Sequence, residues 1–180
     1  MSPLGDIRMG KKEEPRRKGG WAMYSKILVP LDGSHVSESA IGFAQDLAME
    51  SGAEIVLVTA AQDSLAIVPE ARIHAPASQV YESAIRGMTY LQKVAVQLRR
   101  NGGRVHCDVL EGDPASAILK CAQRENVDLI VIGTHRRYPL SWLSRMLKGS
   151  VAGTVAYSTH RPVILVKEEP PERKEMAIAA

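Results

Sequence analysis

The amino-acid sequence predicts an α/β fold, in which an open, doubly wound, five-stranded parallel sheet is flanked by helices in a single domain. Two observations carry this prediction. Short runs that are apolar at every position alternate with segments of helical periodicity. Strands that are apolar on both faces are typical of a parallel sheet covered on both sides. Because crossovers between parallel strands are right-handed, this alternation predicts a layered sheet.

Four of the predicted strands contain continuous apolar runs. They are Lys26–Leu31, with the run Ile27–Val29, and Ile55–Ala60, Leu129–Ile132 and Val163–Val166. The remaining strand differs, because Val105, Cys107 and Val109 alternate with polar residues. Such alternation indicates a strand with one face in water, and we therefore predict that this strand lies at an edge of the sheet.

Helical periods fill the intervals between the strands. Their apolar faces are formed by Ala40, Phe43, Ala44, Leu47 and Ala48 and by Val80, Ala84, Met88, Leu91, Ala95 and Leu98. The first helix is predicted to end before Gly52 and the second before Gly102, as left-handed C-terminal caps require. Asp113 followed by Pro114 predicts the start of a third helix that ends near Glu125.

Composition predicts a globular domain between two charged tails. With 45% hydrophobic and 24% charged residues, the chain can form a substantial core. We assign residues 1–22 to a flexible basic arm, 23–167 to the domain and 168–180 to a charged tail. No apolar run is long enough for a membrane-spanning helix or a secretory signal, so a cytoplasmic protein with no membrane association is expected.

Several classes of function find no support in the sequence. The formal net charge of +3 lies mainly in the arm, so the domain gives no argument for nucleic-acid binding. The cysteines and histidines show no metal-binding spacing, and no metal site is predicted. Motifs for a P-loop, a dinucleotide fingerprint or a nucleophile elbow are missing as well. We therefore predict that the protein is not an enzyme.

The loop after the first strand is one candidate for ligand binding. An aspartate at the end of a strand, here Asp32, can accept hydrogen bonds from a base or a ribose, and Gly33 allows close backbone approach. The alternative is that Asp32 and Ser34 only cap the following helix. The residues of this loop leave both interpretations open.

The loop after the fourth strand is the other candidate. It opens at Gly133, contains a basic stretch, and closes with Gly149 and Ser150, where a last helix is predicted to begin. Free N–H groups at a helix start suit phosphate oxygens. The alternative is that Gly133 makes a turn and Ser150 is an ordinary N-cap, and the loop by itself does not decide between the two.

The chain resembles the universal stress protein family in five motifs, some of which contain the ends of the two loops. The motifs lie at Lys26–Ser34, Gly112–Pro114, Val127–His135, Gly149–Val151 and His160–Lys167. The resemblance extends from Tyr24 to Lys167. It implies a Rossmann-like sheet of the adenine nucleotide alpha-hydrolase type and a role in stress response through an unidentified protein partner.

The resemblance also implies a ligand. Nucleotide-binding members of the family hold ATP with a glycine, two residues, a second glycine, nine residues and a Gly-Ser/Thr pair, and Mg²⁺ can accompany the nucleotide. Asp32 would contact adenine, Gly133 would lie on the ribose side, and Gly149–Val151 would hold the phosphates. With the neighbouring strand ends, the predicted nucleotide-binding residues are Pro30, Leu31, Asp32, Ala60, Ile132, Gly133, Arg136, Gly149, Ser150 and Val151.

This chain departs from the pattern in the second loop. Arg136 stands where the second glycine belongs, and the interval from Gly133 to Gly149 is longer than in the family. Arginine restricts the backbone but adds a bidentate phosphate donor. An alternative hypothesis is a nucleotide-free dimeric interaction module whose contact surface is the loop 136–148, which includes Trp142. Trp142 could equally pack back on the core.

Assembly is predicted from the last strand. Val163–Val166 is too apolar to remain a bare edge, and such edges pair with other chains. The resemblance implies a homodimer formed by antiparallel pairing of this strand across a two-fold axis.

Overall fold

The sheet of the computed structural model confirms the predicted architecture. The structure describes residues 23–61, 77–134 and 150–168, and all structural statements refer to these ranges. The strands are β1 (Lys26–Pro30), β2 (Glu54–Ala60), β3 (Arg104–Leu110), β4 (Leu129–Thr134) and β5 (Val163–Lys167). The helices that alternate with them are α1 (His35–Ser51), α2 (Ala77–Arg100), α3 (Pro114–Arg124) and α4 (Val151–Ser158). The predicted arm 1–22, the tail from 169 onward and the loop 136–148 lie outside the described residues.

The strands are all parallel, in the order β3-β2-β1-β4-β5. The chain winds outward from β1 through β2 to β3, and then crosses back to add β4 and β5 on the other side. The direction of winding therefore reverses between β1 and β4, where ligands bind in doubly wound folds. The order also confirms that the alternating strand, β3, lies at an edge.

Each strand contributes side chains to two core layers. Ile27, Ile55 and Leu129 belong to the layer under α1 and α2. Leu28 and Ile130 belong to the layer under α3 and α4. Because both faces are covered, successive residues of a central strand are all buried, and each large side chain contributes about 1.5–3 kcal/mol. This explains why the strands are uniformly apolar runs in the sequence.

Most helix ends fall where the sequence predicts them. Ser34 is the N-cap of α1, and Gly52 closes that helix with a φ of 69° in the left-handed region. Asp113 caps α3, and Ser150 caps α4. The third helix ends at Arg124, one residue before the predicted end. Within the described ranges, the structure contains no helix that is both long and apolar enough to cross a membrane.

The buried face of α1 is narrower than predicted. Ala40, Ala44 and Ala48 are buried, whereas Phe43 is 44% exposed. These alanines form one row of residues four apart, so the helix contacts the sheet through small side chains. The sequence pattern overestimates this face because it assigns every apolar residue near the row to the core.

The face predicted for α2 is buried only in its second half. Leu91, Ala95 and Leu98 are buried, whereas Val80 and Met88 are partly exposed. The helix has 24 residues, a length of about 36 Å. The neighbouring β3 has 7 residues and a length of about 23 Å. The first turns of α2 therefore extend past the carboxyl edge of the sheet.

Gly133 marks the closest approach of a helix to the sheet. A Cβ atom built at this position would lie 2.7 Å from the carbonyl carbon of Val36 and 2.8 Å from the Cα of Ser37. Real Cβ atoms do not approach backbone so closely. Only glycine at this point in β4 therefore allows the first turn of α1 to pack where it does.

Substituting Gly133 by alanine should lower the free energy of unfolding by about 3 kcal/mol, because the added methyl group overlaps the backbone of α1. Gly42→Ala is the matched control. A Cβ at Gly42 would meet nothing within 4 Å, and alanine favours an exposed helix interior by about 0.5–1 kcal/mol. Urea denaturation of both variants measures the difference. Wild-type stability of Gly133→Ala would show that α1 does not contact β4 in this way.

Candidate functional site

A cleft of about 610 Å³ lies at the carboxyl edge of the sheet. Its walls come from the ends of β1, β2 and β4, from the first turns of α1, α3 and α4, and from one face of α2. Its volume lies within the range of small-molecule sites, roughly 300–1,000 Å³. The cleft occupies the position between β1 and β4 where the winding of the sheet reverses.

Many of the predicted nucleotide-binding residues line this cleft. They are Pro30, Leu31, Asp32, Ala60, Ile132, Gly133 and Val151. Ser150 immediately precedes Val151 but is not among the lining residues. Arg136 and Gly149 lie outside the described residues. Segments that are far apart in the sequence thus meet at one place, and their role in binding stays a prediction.

In the loop after β1, the structure assigns the helix cap to Ser34, and the binding role of Asp32 stays a prediction. Ser34 caps α1, since its Oγ accepts from the N–H of Ser37 at 3.2 Å. Asp32 does not cap the helix itself but hydrogen-bonds to the capping residue. Its Oδ1 accepts from the Ser34 N–H at 2.9 Å and from the Ser34 hydroxyl at 2.6 Å. These bonds use about two of the four acceptor positions of a carboxylate. Asp32 therefore keeps acceptor capacity in the wall of the cleft.

Asp32 is ionised at neutral pH. Partial burial by itself raises the pKa of this carboxyl group, but the hydrogen bonds from the hydroxyl and N–H of Ser34, together with the nearby Ser37 hydroxyl and Asp32 N–H, favour the charged form. These bonds outweigh burial, and the pKa of Asp32 lies below its ordinary value. The group is thus an acceptor only, suited to an amino or hydroxyl donor of a ligand.

The start of α4 presents backbone donors to the cleft. Ser150 accepts from the N–H of Gly153 at 3.0 Å through its Oγ, and from the N–H of Thr154 at 2.9 Å through its carbonyl. Val151 and Ala152 line the cleft. Their N–H groups belong to the first turn, where a helix offers no internal acceptors, and no bond to a described residue is found for them. Such groups suit an anionic oxygen.

The wall formed by α2 was missed by the sequence analysis. Ser83, Arg86, Gly87 and Tyr90 line the cleft at helical spacing on one face. Arg86 brings a positive charge, and its pair with Glu82 is exposed and 3.6 Å long, so that the pair is weak. The sequence did contain a signal for this wall. Ser83 and Arg86 are polar residues among the apolar positions of α2, which indicates that this part of the helix is not covered by the core.

Tyr90 connects this wall to α1. Its hydroxyl donates to Oε1 of Glu38 at 2.8 Å. The pKa of Tyr90 is raised well above its ordinary value, first by burial and then by the hydrogen bond to Glu38 and the negative charges of Glu38 and Asp32. The phenol therefore keeps its proton and remains a donor.

The described ranges contain neither a cluster of side chains that could bind a metal ion nor an activated thiol. No group of three or more His, Cys, Asp and Glu side chains there is placed to hold a metal ion. Cys107 is partly exposed and Cys121 is buried. Burial raises the pKa of both thiols, which favours the protonated, unreactive form.

Replacing Ser34 by alanine should raise the pKa of Asp32 towards its ordinary value and lower the free energy of unfolding by about 1 kcal/mol, because a helix cap is lost. A depressed pKa stabilises the fold above the ordinary pKa, and this contribution disappears as the pH falls through the folded-state pKa. The Asp32 part of the loss should therefore vanish in acid.

Carboxyl-carbon NMR titration measures this pKa, and urea denaturation at neutral and acid pH measures stability. Ser39→Ala serves as the control, since the Ser39 hydroxyl bonds to the Val36 carbonyl and does not contact Asp32. An unchanged Asp32 pKa in Ser34→Ala would contradict the account of this turn.

Comparison with known proteins agrees with this arrangement. A model of the universal stress protein family matches residues 23–167. Universal stress protein MJ0531 of Methanocaldococcus jannaschii is 34% identical over 154 residues, which cover 84% of this chain and 86% of the relative. Universal stress protein YxiE of Bacillus subtilis is 30% identical, with 81% of this chain and 100% of the relative covered.

Solved structures share the fold. A universal stress family protein from Burkholderia pseudomallei has a TM-score of 0.61 at 26% identity, covering 82% of this chain and 98% of the other. A universal stress protein in complex with cAMP has a TM-score of 0.56 at 22% identity, with 81% and 98% covered. One from Archaeoglobus fulgidus in complex with dAMP has a TM-score of 0.56 at 21% identity, with 81% and 99% covered. The chain, from residue 23 to residue 167, belongs to the universal stress protein family.

Proposed function

We propose that this protein binds an adenine nucleotide, ATP in particular, in the cleft at the carboxyl edge of its sheet, and that it regulates a protein partner in the stress response. The observation that carries the proposal is the meeting of Asp32, Gly133 and Val151 in one cleft, although they come from the loop after β1, from β4 and from α4. The solved relatives that hold cAMP and dAMP support an adenine nucleotide as the ligand class.

The chemistry of the cleft fits such a ligand. The ionised Asp32 needs a donor, and adenine offers its amino group while ribose offers hydroxyls. Ala60 and Ile132 provide apolar surface for a base. The N–H groups of Val151 and Ala152 can donate to phosphate oxygens, and the α4 dipole adds to their attraction. The cleft thus offers complementary groups for each part of a nucleotide.

A binding role without efficient catalysis accounts best for these groups. The described residues that line the cleft include no histidine or cysteine, so hydroxyl groups lack the usual general base. We expect ATP hydrolysis to be slow or absent. Mg²⁺ would accompany the phosphates, since the described ranges hold no cluster of side chains that would bind it independently.

We also propose a homodimer paired along β5. This strand is an edge of the sheet, and its residues Val163–Val166 are all only partly buried in the single chain. A partly exposed apolar edge is stabilised when another strand pairs with it. Antiparallel pairing about a two-fold axis would cover the strands of both chains equally.

Calorimetric titration with ATP and Mg²⁺ should give a binding signal for the wild type. Asp32→Asn keeps the shape of the side chain but removes its charge, and should weaken ATP binding at least tenfold, about 1.4 kcal/mol. Asp46→Asn is the matched control on the exposed side of α1 and should bind like the wild type. No heat at millimolar ATP, AMP or cAMP would contradict the proposal and favour the nucleotide-free interaction module.

The dimer can be tested separately from the ligand. Ile164→Lys places a charge in the middle of the proposed pairing and should yield monomers in light scattering. Ile85→Lys, on the exposed face of α2, should leave the dimer mass unchanged. A monomeric wild type at micromolar concentration, or a dimeric Ile164→Lys variant, would show that β5 is not the interface.

A further inference from the structure

One side chain of α2 is fixed directly beside the loop that carries Asp32. Tyr90 lines the cleft, and its hydroxyl donates to Glu38 in the first turn of α1 at 2.8 Å. Gly33, in the turn between β1 and α1, lines the same cleft. Tyr90 therefore joins α2 to the first turn of α1 and lies near the turn that carries Asp32.

Gly87 determines how near Tyr90 comes. A Cβ atom at Gly87 would lie 2.9 Å from Cγ2 of Thr59 in β2, which is closer than side chains normally approach. Glycine thus allows α2 to pack unusually close to the sheet. Tyr90 follows three residues later on the same helical face, so this close packing brings its ring to the end of β1.

The hydroxyl of Tyr90 is occupied within the protein. It donates its hydrogen to Glu38, so it cannot donate to a ligand at the same time. The part of the residue that remains for a ligand is the aromatic ring. The Tyr90 ring therefore forms a rigid apolar surface of the cleft. Its backbone is part of α2, and its hydroxyl is held by Glu38.

This wall stands beside the carboxylate that is suited to an amino group. Asp32, as an ionised acceptor, can bind the amino group of adenine, which is the hydrogen-bond donor of that base. Asp32 and Tyr90 line the same cleft, so the Tyr90 ring would be a neighbour of any substituent on an amino group that Asp32 binds. A polar substituent buried against an apolar ring would also lose its hydrogen bonds to water and gain none in return.

Resting on the nucleotide binding proposed above, we propose that Tyr90 is a specificity-determining residue: it limits the base end of the cleft to an adenine whose amino group carries no bulky substituent. Glu38 is the positioning residue that fixes the ring through the Tyr90 hydroxyl. The ligand class is accordingly narrowed from adenine nucleotides in general to those with an unmodified amino group.

The test compares ATP with N6-benzyl-ATP by calorimetry. The wild type should bind N6-benzyl-ATP at least tenfold more weakly than ATP. Tyr90→Ala should bring this ratio close to one, because removing the ring opens the space for the benzyl group. Tyr90→Phe retains the ring but loses the hydrogen bond to Glu38 that positions it, so its ratio should lie between those of Tyr90→Ala and the wild type. The readout is the ratio of the two affinities, because a general loss of protein stability weakens the binding of both nucleotides to the same extent.

Further variants guard against an unfolded protein. Tyr90→Leu fills part of the same space and should also lower the ratio if Tyr90→Ala does not fold. Tyr81→Ala is the matched control, since Tyr81 lies on the same helix, is 69% exposed and does not line the cleft. Its ratio should equal that of the wild type.

Two results would overturn the proposal while leaving nucleotide binding intact. One is a wild type that binds the two nucleotides equally. The other is a folded Tyr90→Ala or Tyr90→Leu variant that binds ATP and keeps the wild-type ratio. Binding of neither nucleotide by the wild type would instead contradict the proposed function, and this proposal with it.

Discussion

The contact between Gly133 and the first turn of α1 is the constraint on which the site depends. At this point β4 has no side chain, and the backbone of Val36 and Ser37 takes the space. The start of α1 is thereby held against the sheet. Ser37 in turn accepts from the Asp32 N–H at 3.2 Å and donates to the Ser34 carbonyl at 2.9 Å. The position of the Asp32 turn is thus a consequence of close backbone packing between α1 and β4.

The rest of the cleft is built around this fixed turn. On one side, Ser150 orders the first turn of α4, whose N–H groups face the same space. On the other side, Gly87 brings α2 close to β2, and Tyr90 bonds to Glu38. Two glycines, Gly133 and Gly87, set the distances between helices and sheet. The N-cap serines Ser34 and Ser150 set the orientation of the helix starts that line the cleft.

Local patterns in the sequence were enough to predict the elements but not all of their surroundings. The buried strands and the caps at Ser150 and Gly52 follow from rules that act over a few residues, so they could be predicted. The order of the strands and the reason for Gly133 could not, because both depend on partners far away in the chain. The loop at Asp32 was ambiguous for a related reason: capping and ligand binding favour the same residue types, and only the geometry shows that Ser34 is the residue that caps α1. The wall formed by α2 was missed because its apolar period was assigned to the core along its whole length.

The unequal burial of α2 has a consequence for local stability. Its second half, from Leu91 to Leu98, rests on the sheet, whereas the turns before Arg86 have less apolar surface covered. The free energy needed to open a segment follows its buried contacts, so the first half of the helix opens at a lower cost than the second. The strands β1 and β4 contribute buried residues to both core layers, so opening them costs more free energy than opening the first turns of α2, which precede Gly87 and Tyr90.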